Sequence, residues 1–396
     1  MKVFYKTFGC KVNQYETELL KTRLEHSGAT SSQKLHDADL CVINSCSVTH
    51  EADRECRQFV RKILRENTRT RVVVTGCYAT RAPEELKLLS SRVEVYSNQE
   101  KDTLPSCVGF EIAEQPLGIR HFGERSRAFL KVQDGCKAPC TYCIIPTVRN
   151  ELWSKPLANV IEEARQLLNE GYQEIVLTGI RLGQYRSLNG KRSNLTDLLR
   201  SLLELPGKFR IRLSSIEVTE VSEELIHLVS ETPKICRHFH IPMQSGTDPV
   251  LKGMGRWYKS RDYADKIRVI RSQLPDVGLT ADVMVGFPTE TDDLFLSTAK
   301  FIEDLELSGL HVFPFSTRPG TQAARLTPLP ETVVARRSRV LRNLDSTLRE
   351  RFLARFQGTL RETLVETSGE GWTDNYIRVK APSNTPPGLA HLPIPV

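Results

Sequence analysis

A chain of 396 residues is too long for one small core and is expected to fold as two or three domains. Its composition, 39% hydrophobic and 26% charged, is that of an ordinary globular protein and excludes a disordered or fibrous chain. The net charge of +7 permits an anionic partner such as RNA without demonstrating one.

No stretch approaches the ~18 uninterrupted apolar residues of a membrane span, so no membrane association is expected. Met1-Lys2-Val3-Phe4-Tyr5-Lys6 lacks the apolar core of a signal peptide and reads as a strand, which places the protein in the cytoplasm. In that compartment ten cysteines point to metal ligands or buried apolar residues, not disulfides.

Residues 1 to about 100 repeat one pattern: an apolar strand, a loop with a cysteine, then a helix. The first unit is Val3-Phe4-Tyr5, Gly9-Cys10 and a helix from about Gln14, with Asn13 and Glu16 in the order of an N-cap pair. The second is Leu40-Cys41-Val42-Ile43, Asn44-Ser45-Cys46 and a helix from about Ala52 to Leu64. The third is Val72-Val73-Val74, Gly76-Cys77 and a helix opened by Pro83. Such alternation implies a parallel sheet with right-handed crossovers, all strand C-termini lying on one edge. Cys10, Cys46 and Cys77 therefore converge there and make a cluster site with an open corner. Cys41, inside a strand, reads as a buried small hydrophobe, as do Cys56, Cys107 and Cys236.

After a looser stretch, about 100 to 125, a longer α/β alternation begins. Its candidate strands are 128–132, 174–178, 210–214, 238–241, 279–285 and 309–315, with helices at 160–169, 195–203, 222–230, 261–273 and 292–305. Six such units fall short of the eight of a full barrel and imply a partial (β/α)6 barrel. Behind its first strand stands Gly135-Cys136-Lys137-Ala138-Pro139-Cys140-Thr141-Tyr142-Cys143, a C-x3-C-x2-C loop. A [4Fe–4S] cluster normally takes four thiolates, so three leave one iron open to a small molecule. Zinc sites prefer paired C-x2-C elements, and no second close pair stands in this sequence. Strand ends supply further candidate ligand groups: Thr178-Gly179, Arg212 and Ser214, His240 and Gln244, and Gly286-Phe287-Pro288.

Residues 331 to 356 read as an amphipathic helix with Val340, Leu344, Leu348, Phe352 and Phe356 on its apolar side. Its arginines, among them Arg336, Arg337, Arg339, Arg342 and Arg349, read either as a solvated face or as a stripe for RNA phosphates.

The three-cysteine loop resembles the signature of the radical SAM enzymes, and the whole chain, over about residues 1 to 380, resembles their methylthiotransferase branch. The runs that carry the likeness include Thr7-Phe8-Gly9-Cys10-Lys11-Val12-Asn13-Gln14, Asn44-Ser45-Cys46, Thr75-Gly76-Cys77, Val132-Gln133-Asp134-Gly135-Cys136, Arg212-Leu213-Ser214-Ser215 and His240-Ile241-Pro242-Met243-Gln244-Ser245-Gly246. Lys11-Val12-Asn13-Gln14-Tyr15 and Leu177-Thr178-Gly179-Ile180 resemble most the subgroup that methylthiolates carbon 2 of N6-threonylcarbamoyladenosine beside the tRNA anticodon. Isopentenyladenosine in tRNA, or a ribosomal protein, is the alternative substrate within the family. A non-catalytic iron–sulfur or zinc protein that binds RNA is the alternative outside it.

The resemblance implies two [4Fe–4S] clusters and S-adenosyl-L-methionine. Cys136, Cys140 and Cys143 would bind the radical-generating cluster and Cys10, Cys46 and Cys77 the auxiliary, sulfur-carrying one, while Tyr142, Thr178, Gly179, Arg212, Ser214 and Gln244 become cofactor-binding candidates. No side chain is assigned as an acid–base catalyst, because an aromatic C–H is too weakly acidic for a general base and the hard chemistry falls to the cofactors. The implied partners are a tRNA anticodon stem–loop and a reducing electron donor, with the enzyme a monomer. The expected domains are 1–110, 122–355 (the barrel and its following helix) and 356–396. The last resembles the opening strands of the small RNA-binding barrel called TRAM, but proline density after Lys380 predicts that it is truncated with an open edge.

Overall fold

The computed structural model describes residues 1–110, 116–123, 126–187 and 193–395. The looser stretch at 100 to 125 is thus described only in part. The chain divides into two compact units, one of residues 1–122, 134–138 and 143–153, the other of residues 123–133, 139–142 and 154–396.

In the first unit the strands are β1 (Lys2–Thr7), β2 (Thr30–Ser31), β3 (Leu40–Ser45), β4 (Arg71–Gly76) and β5 (Val93–Val95). Among the described residues they form one parallel sheet in the order β2-β1-β3-β4-β5. Every residue of the central strand β3 is buried, as a strand covered on both faces requires. Alternation along the pleat sends Cys41 and Ile43 to one face, against Cys56, Val60 and Ile63 of the helix His50–Glu66. Leu40 and Val42 face the other way, against Leu20 and Leu24 of the helix Lys11–His26. Cys41, Cys56 and Cys236 are buried as expected, but Cys107 is exposed at the end of a single helical turn, Leu104–Cys107.

The second unit contains β6 (Arg127–Asp134), β7 (Trp153–Ser154), β8 (Glu174–Gly179), β9 (Arg210–Leu213), β10 (His238–His240), β11 (Gly278–Val285) and β12 (Gly309–Pro314). Of these, β6, β8 and β9 pair in parallel, as do β10, β11 and β12. Between β9 and β10 the ladder thins to isolated bridges, Ile211 to Ile235 and Ser215 to His240. The result is the partial barrel of six principal strands, with its helices between them.

The C-terminal segment is β-rich with open edges, as expected, but the proline-dense stretch after Lys380 adds a strand that its composition argued against. Strands β13 (Leu360–Val365), β14 (Glu370–Thr373), β15 (Arg378–Lys380) and β16 (Gly388–Pro393) make an antiparallel sheet in the order β15-β14-β13-β16. β16 pairs with β13 along its whole length, from Gly388 opposite Val365 to Pro393 opposite Leu360. The prolines do not prevent this because β16 is an edge strand, Pro393 ends it, and Pro382, Pro386 and Pro387 lie in the preceding loop. Leu392 and Ile394 join Phe352, Phe356 and Val365 in one core.

This sheet covers the N-terminal ends of the barrel strands. Arg210 donates to the Glu362 and Trp372 carbonyls at 3.1 and 2.7 Å, and Arg212 to those of Asp374 and Thr373 at 3.2 and 2.8 Å. Both arginines also hold the buried Glu174. Burial opposes charge on that carboxyl, but Arg212 and Arg210 outweigh it and keep Glu174 well below the usual carboxylate range. His238, at the start of β10, stacks on Tyr376 with ring centroids 4.2 Å apart.

The helix Glu331–Ala354 buries the C-terminal part of the expected side, Leu348 and Phe352 with Phe356 just beyond it, but differs nearer its start. Arg337, Ser338, Leu341, Leu348 and Phe352 face inward, while Val340 is exposed. Arg337 leaves the arginine stripe altogether, buried against Glu290 and Asp292, and Arg336 pairs with Asp292 and Arg349 with Asp345.

Candidate active site

In the first unit the three cysteine loops sit at the ends of adjacent strands. Cys46 and Cys77 follow β3 and β4 directly, and Cys10 lies three residues beyond β1. The thiols are within electrostatic reach of one another. Two glycines allow the approach. A Cβ on Gly9 would lie 2.7 Å from the Cys46 sulfur, and one on Gly76 would lie 2.4 Å from the Ser45 carbonyl, and both have a left-handed φ, +92° and +98°.

Asn13 and Glu16 are not a helix cap. The helix begins at Lys11 with Cys10 as its N-cap residue, and both side chains are buried. The Asn13 amide donates to the Phe8 carbonyl at 2.9 Å and the Ser45 carbonyl at 3.0 Å, so one side chain ties the Cys10 loop to the Cys46 loop. Ser45 in turn donates to the Thr75 carbonyl at 2.6 Å and accepts from the Ala79 backbone, which ties the Cys46 loop to the Cys77 loop. Arg149 donates to Asn13 at 2.9 Å and bridges Glu16 and Asp134, and Lys101 pairs with Glu16. Asn98 donates to the Cys77 sulfur at 3.7 Å. Arg149, Lys101 and Asn98 carry no local sequence signal, since each acts through partners distant in the chain.

The three-cysteine loop starts in the first unit, where Cys136 donates its backbone N–H to the Arg149 carbonyl at 3.1 Å. Its middle lies in the second unit. There Thr141 is pinned by the Met254 and Gly253 carbonyls at 3.0 and 2.8 Å, and Arg256 reaches the Cys140 sulfur at 3.2 Å. Arg256 also pairs with Glu217 and stacks over Trp257 at 4.6 Å. Tyr142 packs beside Met254, Met284 and Phe287, its ring edge-on to Phe287.

The strand-end candidates separate into two groups. Thr178, Ser214 and Gln244 are buried at or just beyond strand C-termini, and Thr178 Oγ1, Ser214 Oγ and Gln244 Oε1 have no hydrogen-bond partner among the described residues. Buried polar atoms are nearly always satisfied, so three orphans at the barrel mouth fit a polar ligand such as the amino-acid and ribose groups of S-adenosylmethionine. Gly179, between β8 and its loop, faces Gln133 at 3.0 Å. Arg212 belongs to the other group. It is one inward-facing position below Ser214 on β9, and its fork is saturated by Glu174 and the two carbonyls of the C-terminal sheet, which makes it a structural residue and corrects its place among the cofactor ligands. His240 is likewise tied, to Thr280 at 2.9 Å and Asp282 at 3.1 Å.

Among the described residues no group of three or more His, Cys, Asp or Glu side chains is set to grip a single metal ion. A [4Fe–4S] cluster makes a different demand, because each thiolate binds a different iron. Three thiols at one sheet edge, and three in one loop with an arginine donor on the middle sulfur, suit that donor chemistry.

Comparison with known proteins agrees with this chemistry. Residues 2–97 match the uncharacterized protein family UPF0004, and residues 130–302 match the Radical SAM superfamily. The threonylcarbamoyladenosine tRNA methylthiotransferase MtaB of Bacillus subtilis is 37% identical over 95% of this chain and 89% of its own. The protein of the same name from Thermotoga maritima is 37% identical over 91% of this chain and 86% of its own. Among solved structures, the radical S-adenosylmethionine methyltransferase TsrM of Kitasatospora setae, with cobalamin and a [4Fe-4S] cluster bound, superposes with a TM-score of 0.58 at 15% identity, over 81% of this chain and 76% of that one. The last likeness is one of fold alone. The chain belongs to the radical SAM methylthiotransferase family, in the threonylcarbamoyladenosine tRNA methylthiotransferase subgroup.

Proposed function

We propose that this protein adds a methylthio group to carbon 2 of N6-threonylcarbamoyladenosine next to the tRNA anticodon. The observation that carries the reading is 37% identity to a methylthiotransferase of that substrate over 95% of the chain. Isopentenyladenosine and a ribosomal protein are not favoured as substrates, the relatives at 35–37% identity being named for N6-threonylcarbamoyladenosine, nor is a non-catalytic role, both cysteine triads being intact.

When bound, a cluster on Cys136, Cys140 and Cys143 with S-adenosylmethionine supplies radical abstraction of the ring hydrogen, and one on Cys10, Cys46 and Cys77 supplies the sulfur, a second S-adenosylmethionine giving the methyl. The protein's own contribution is positional. Arg256 offers a charged donor to the Cys140 sulfur, which favours its thiolate form. Thr178, Ser214 and Gln244, with their unsatisfied polar atoms, would hold the nucleoside and amino-acid parts of the cofactor. Gly179 leaves the backbone open to close approach, and the Tyr142 ring, packed on Phe287, steadies the loop beside Cys143. Asn98 donates to the Cys77 sulfur, and Asn13 fixes the spacing of the loops that bear Cys10 and Cys46.

The enzyme acts as a monomer on the anticodon stem–loop, with an external reducing donor, in the cytoplasm. No described helix is long and apolar enough to cross a membrane. Mass spectrometry of nucleosides from tRNA of a deletion strain tests the reading. The 2-methylthio form of N6-threonylcarbamoyladenosine should vanish and return on complementation. Its persistence, with loss of methylthio-isopentenyladenosine instead, would refute the assignment.

A further inference from the structure

The proposed substrate differs from isopentenyladenosine in carrying a charged group, the carboxylate of its threonyl arm. A site that selects it needs a fixed cation at the barrel mouth, near the radical-forming loop. Arg210 and Arg212 are saturated at the opposite end of the strands. Arg256 is already engaged by the Cys140 sulfur and Glu217.

Arg181 meets the requirement. It lies two residues beyond the C-terminal end of β8, and its backbone N–H is fixed by Gln133 at 2.7 Å. Its guanidinium lies over Trp257 at 4.6 Å, on the ring that Arg256 also stacks against, so a continuous run of contacts leads from Cys140 through Arg256 and Trp257 to Arg181. Trp257 is itself 37% exposed and offers an apolar face beside the cation.

The partner of Arg181 is Glu220, in the turn that follows β9. Arg181 Nε lies 2.6 Å from Glu220 Oε1, yet both oxygens of Glu220 and Arg181 Nε are buried without an aligned hydrogen bond. The closest contact to Glu220 is made through Nε, not through the two terminal nitrogens. Burial and the neighbouring Glu217 outweigh the pull of Arg181 and raise the Glu220 carboxyl to about 7, so near neutral pH its grip on the arginine is incomplete. The arrangement is a guanidinium oriented by one imperfect carboxylate, with its fork left for another.

We propose that Arg181, oriented by Glu220 and stacked on Trp257, binds the threonyl carboxylate of the substrate and so determines which N6-substituent the enzyme accepts. The inference rests on the proposed reaction. A planar guanidinium pairs with a carboxylate through two parallel N–H···O bonds, which a neutral isopentenyl group cannot accept. Glu220 is a positioning residue that holds the Nε edge of the guanidinium and leaves its fork for the substrate.

The test uses the full chain with its clusters reconstituted and two synthetic anticodon stem–loops, one carrying N6-threonylcarbamoyladenosine and the other its methyl ester, which differ only in that charge. The wild type should bind the acid about 10- to 100-fold more tightly than the ester, the range of a charge-assisted hydrogen bond. Arg181→Gln should bind both at the ester's affinity, Arg181→Lys should restore part of the preference, and Glu220→Gln should keep it. Iron content equal to wild type checks that each variant has folded. Preference for the acid retained in Arg181→Gln would overturn the proposal. Equal binding of acid and ester by a wild type that still methylthiolates the acid would overturn carboxylate recognition alone. Absence of methylthio product from the acid would overturn the reaction and this inference with it.

Discussion

Asn13 shows how much one buried side chain carries in the first unit. Its amide joins the Phe8 and Ser45 carbonyls, and its oxygen accepts from Arg149. Replacement by alanine removes the donor from the two carbonyls, Arg149 keeping Glu16 and Asp134, and should destabilise the protein by about 1–3 kcal/mol for each buried group left unsatisfied. The loops bearing Cys10 and Cys46 would also lose their tie, so reconstituted Asn13→Ala should hold about half the iron of the wild type, as expected when one of two [4Fe–4S] clusters is lost. Full iron content in that variant would contradict this role. Local pattern could not show it, since N-x-x-E reads as a cap pair until the contacts from Arg149 are seen. Arg212 was illegible for the same reason, its partners lying 38, 161 and 162 residues away. Thr178, Ser214 and Gln244 could be named as candidates because a strand end is a local feature. Glu220 carries a pH signature. Its carboxyl titrates near 7 in the folded protein against an ordinary 4.5, chiefly because of burial. Below about pH 4.5 it is neutral in both states, and as pH rises through 7 the unfolded chain gains from an ionisation that the fold resists. Stability should therefore fall across that window, by at most about 3 kcal/mol. Thermal melts should show Glu220→Gln gaining on the wild type from pH 5 to pH 8, whereas a constant difference would mean that Glu220 ionises normally.

At the scale of elements, strand and helix positions follow from alternation, apolar runs and glycine-bearing strand ends. Helices Leu195–Leu203 and Asp292–Leu305 have the expected limits, and the six principal barrel strands lie within two residues of theirs. β16 escaped because proline density argues against central strands, and only its place at the edge removes the objection. The inward side of Glu331–Ala354 was legible at Leu348 and Phe352 but escaped near its start, because a buried Arg337 with Glu290 and Asp292 replaces an apolar position. β16 is an integral part of the core. Leu392 is buried with Phe352 and Val365, so Leu392→Ala should destabilise the full chain by about 2–5 kcal/mol in chemical denaturation. An unchanged midpoint would show β16 to be dispensable.

Within the second unit the two ends of the barrel strands do different work. At the N-terminal ends Glu174, Arg210 and Arg212 lock the C-terminal sheet in place, a structural arrangement. At the C-terminal ends lie the unsatisfied Thr178, Ser214 and Gln244, the Arg256–Cys140 contact and the Arg181–Glu220 pair. This division is the one expected of barrel enzymes, in which loops at the C-terminal face carry the chemistry. The first unit supplies the second set of thiols from its own sheet edge. The central claim is that two cysteine triads have separate tasks in one methylthiolation, and one measurement addresses it most directly. The wild type, Cys46→Ala and Cys140→Ala are incubated anaerobically with S-adenosylmethionine, a reductant, a sulfur source and a stem–loop bearing N6-threonylcarbamoyladenosine, and 5′-deoxyadenosine and modified nucleoside are quantified together by mass spectrometry. The wild type should yield both, Cys46→Ala should yield 5′-deoxyadenosine without methylthio product, and Cys140→Ala should yield neither. Methylthio product from Cys46→Ala, or undiminished 5′-deoxyadenosine from Cys140→Ala, would contradict the account.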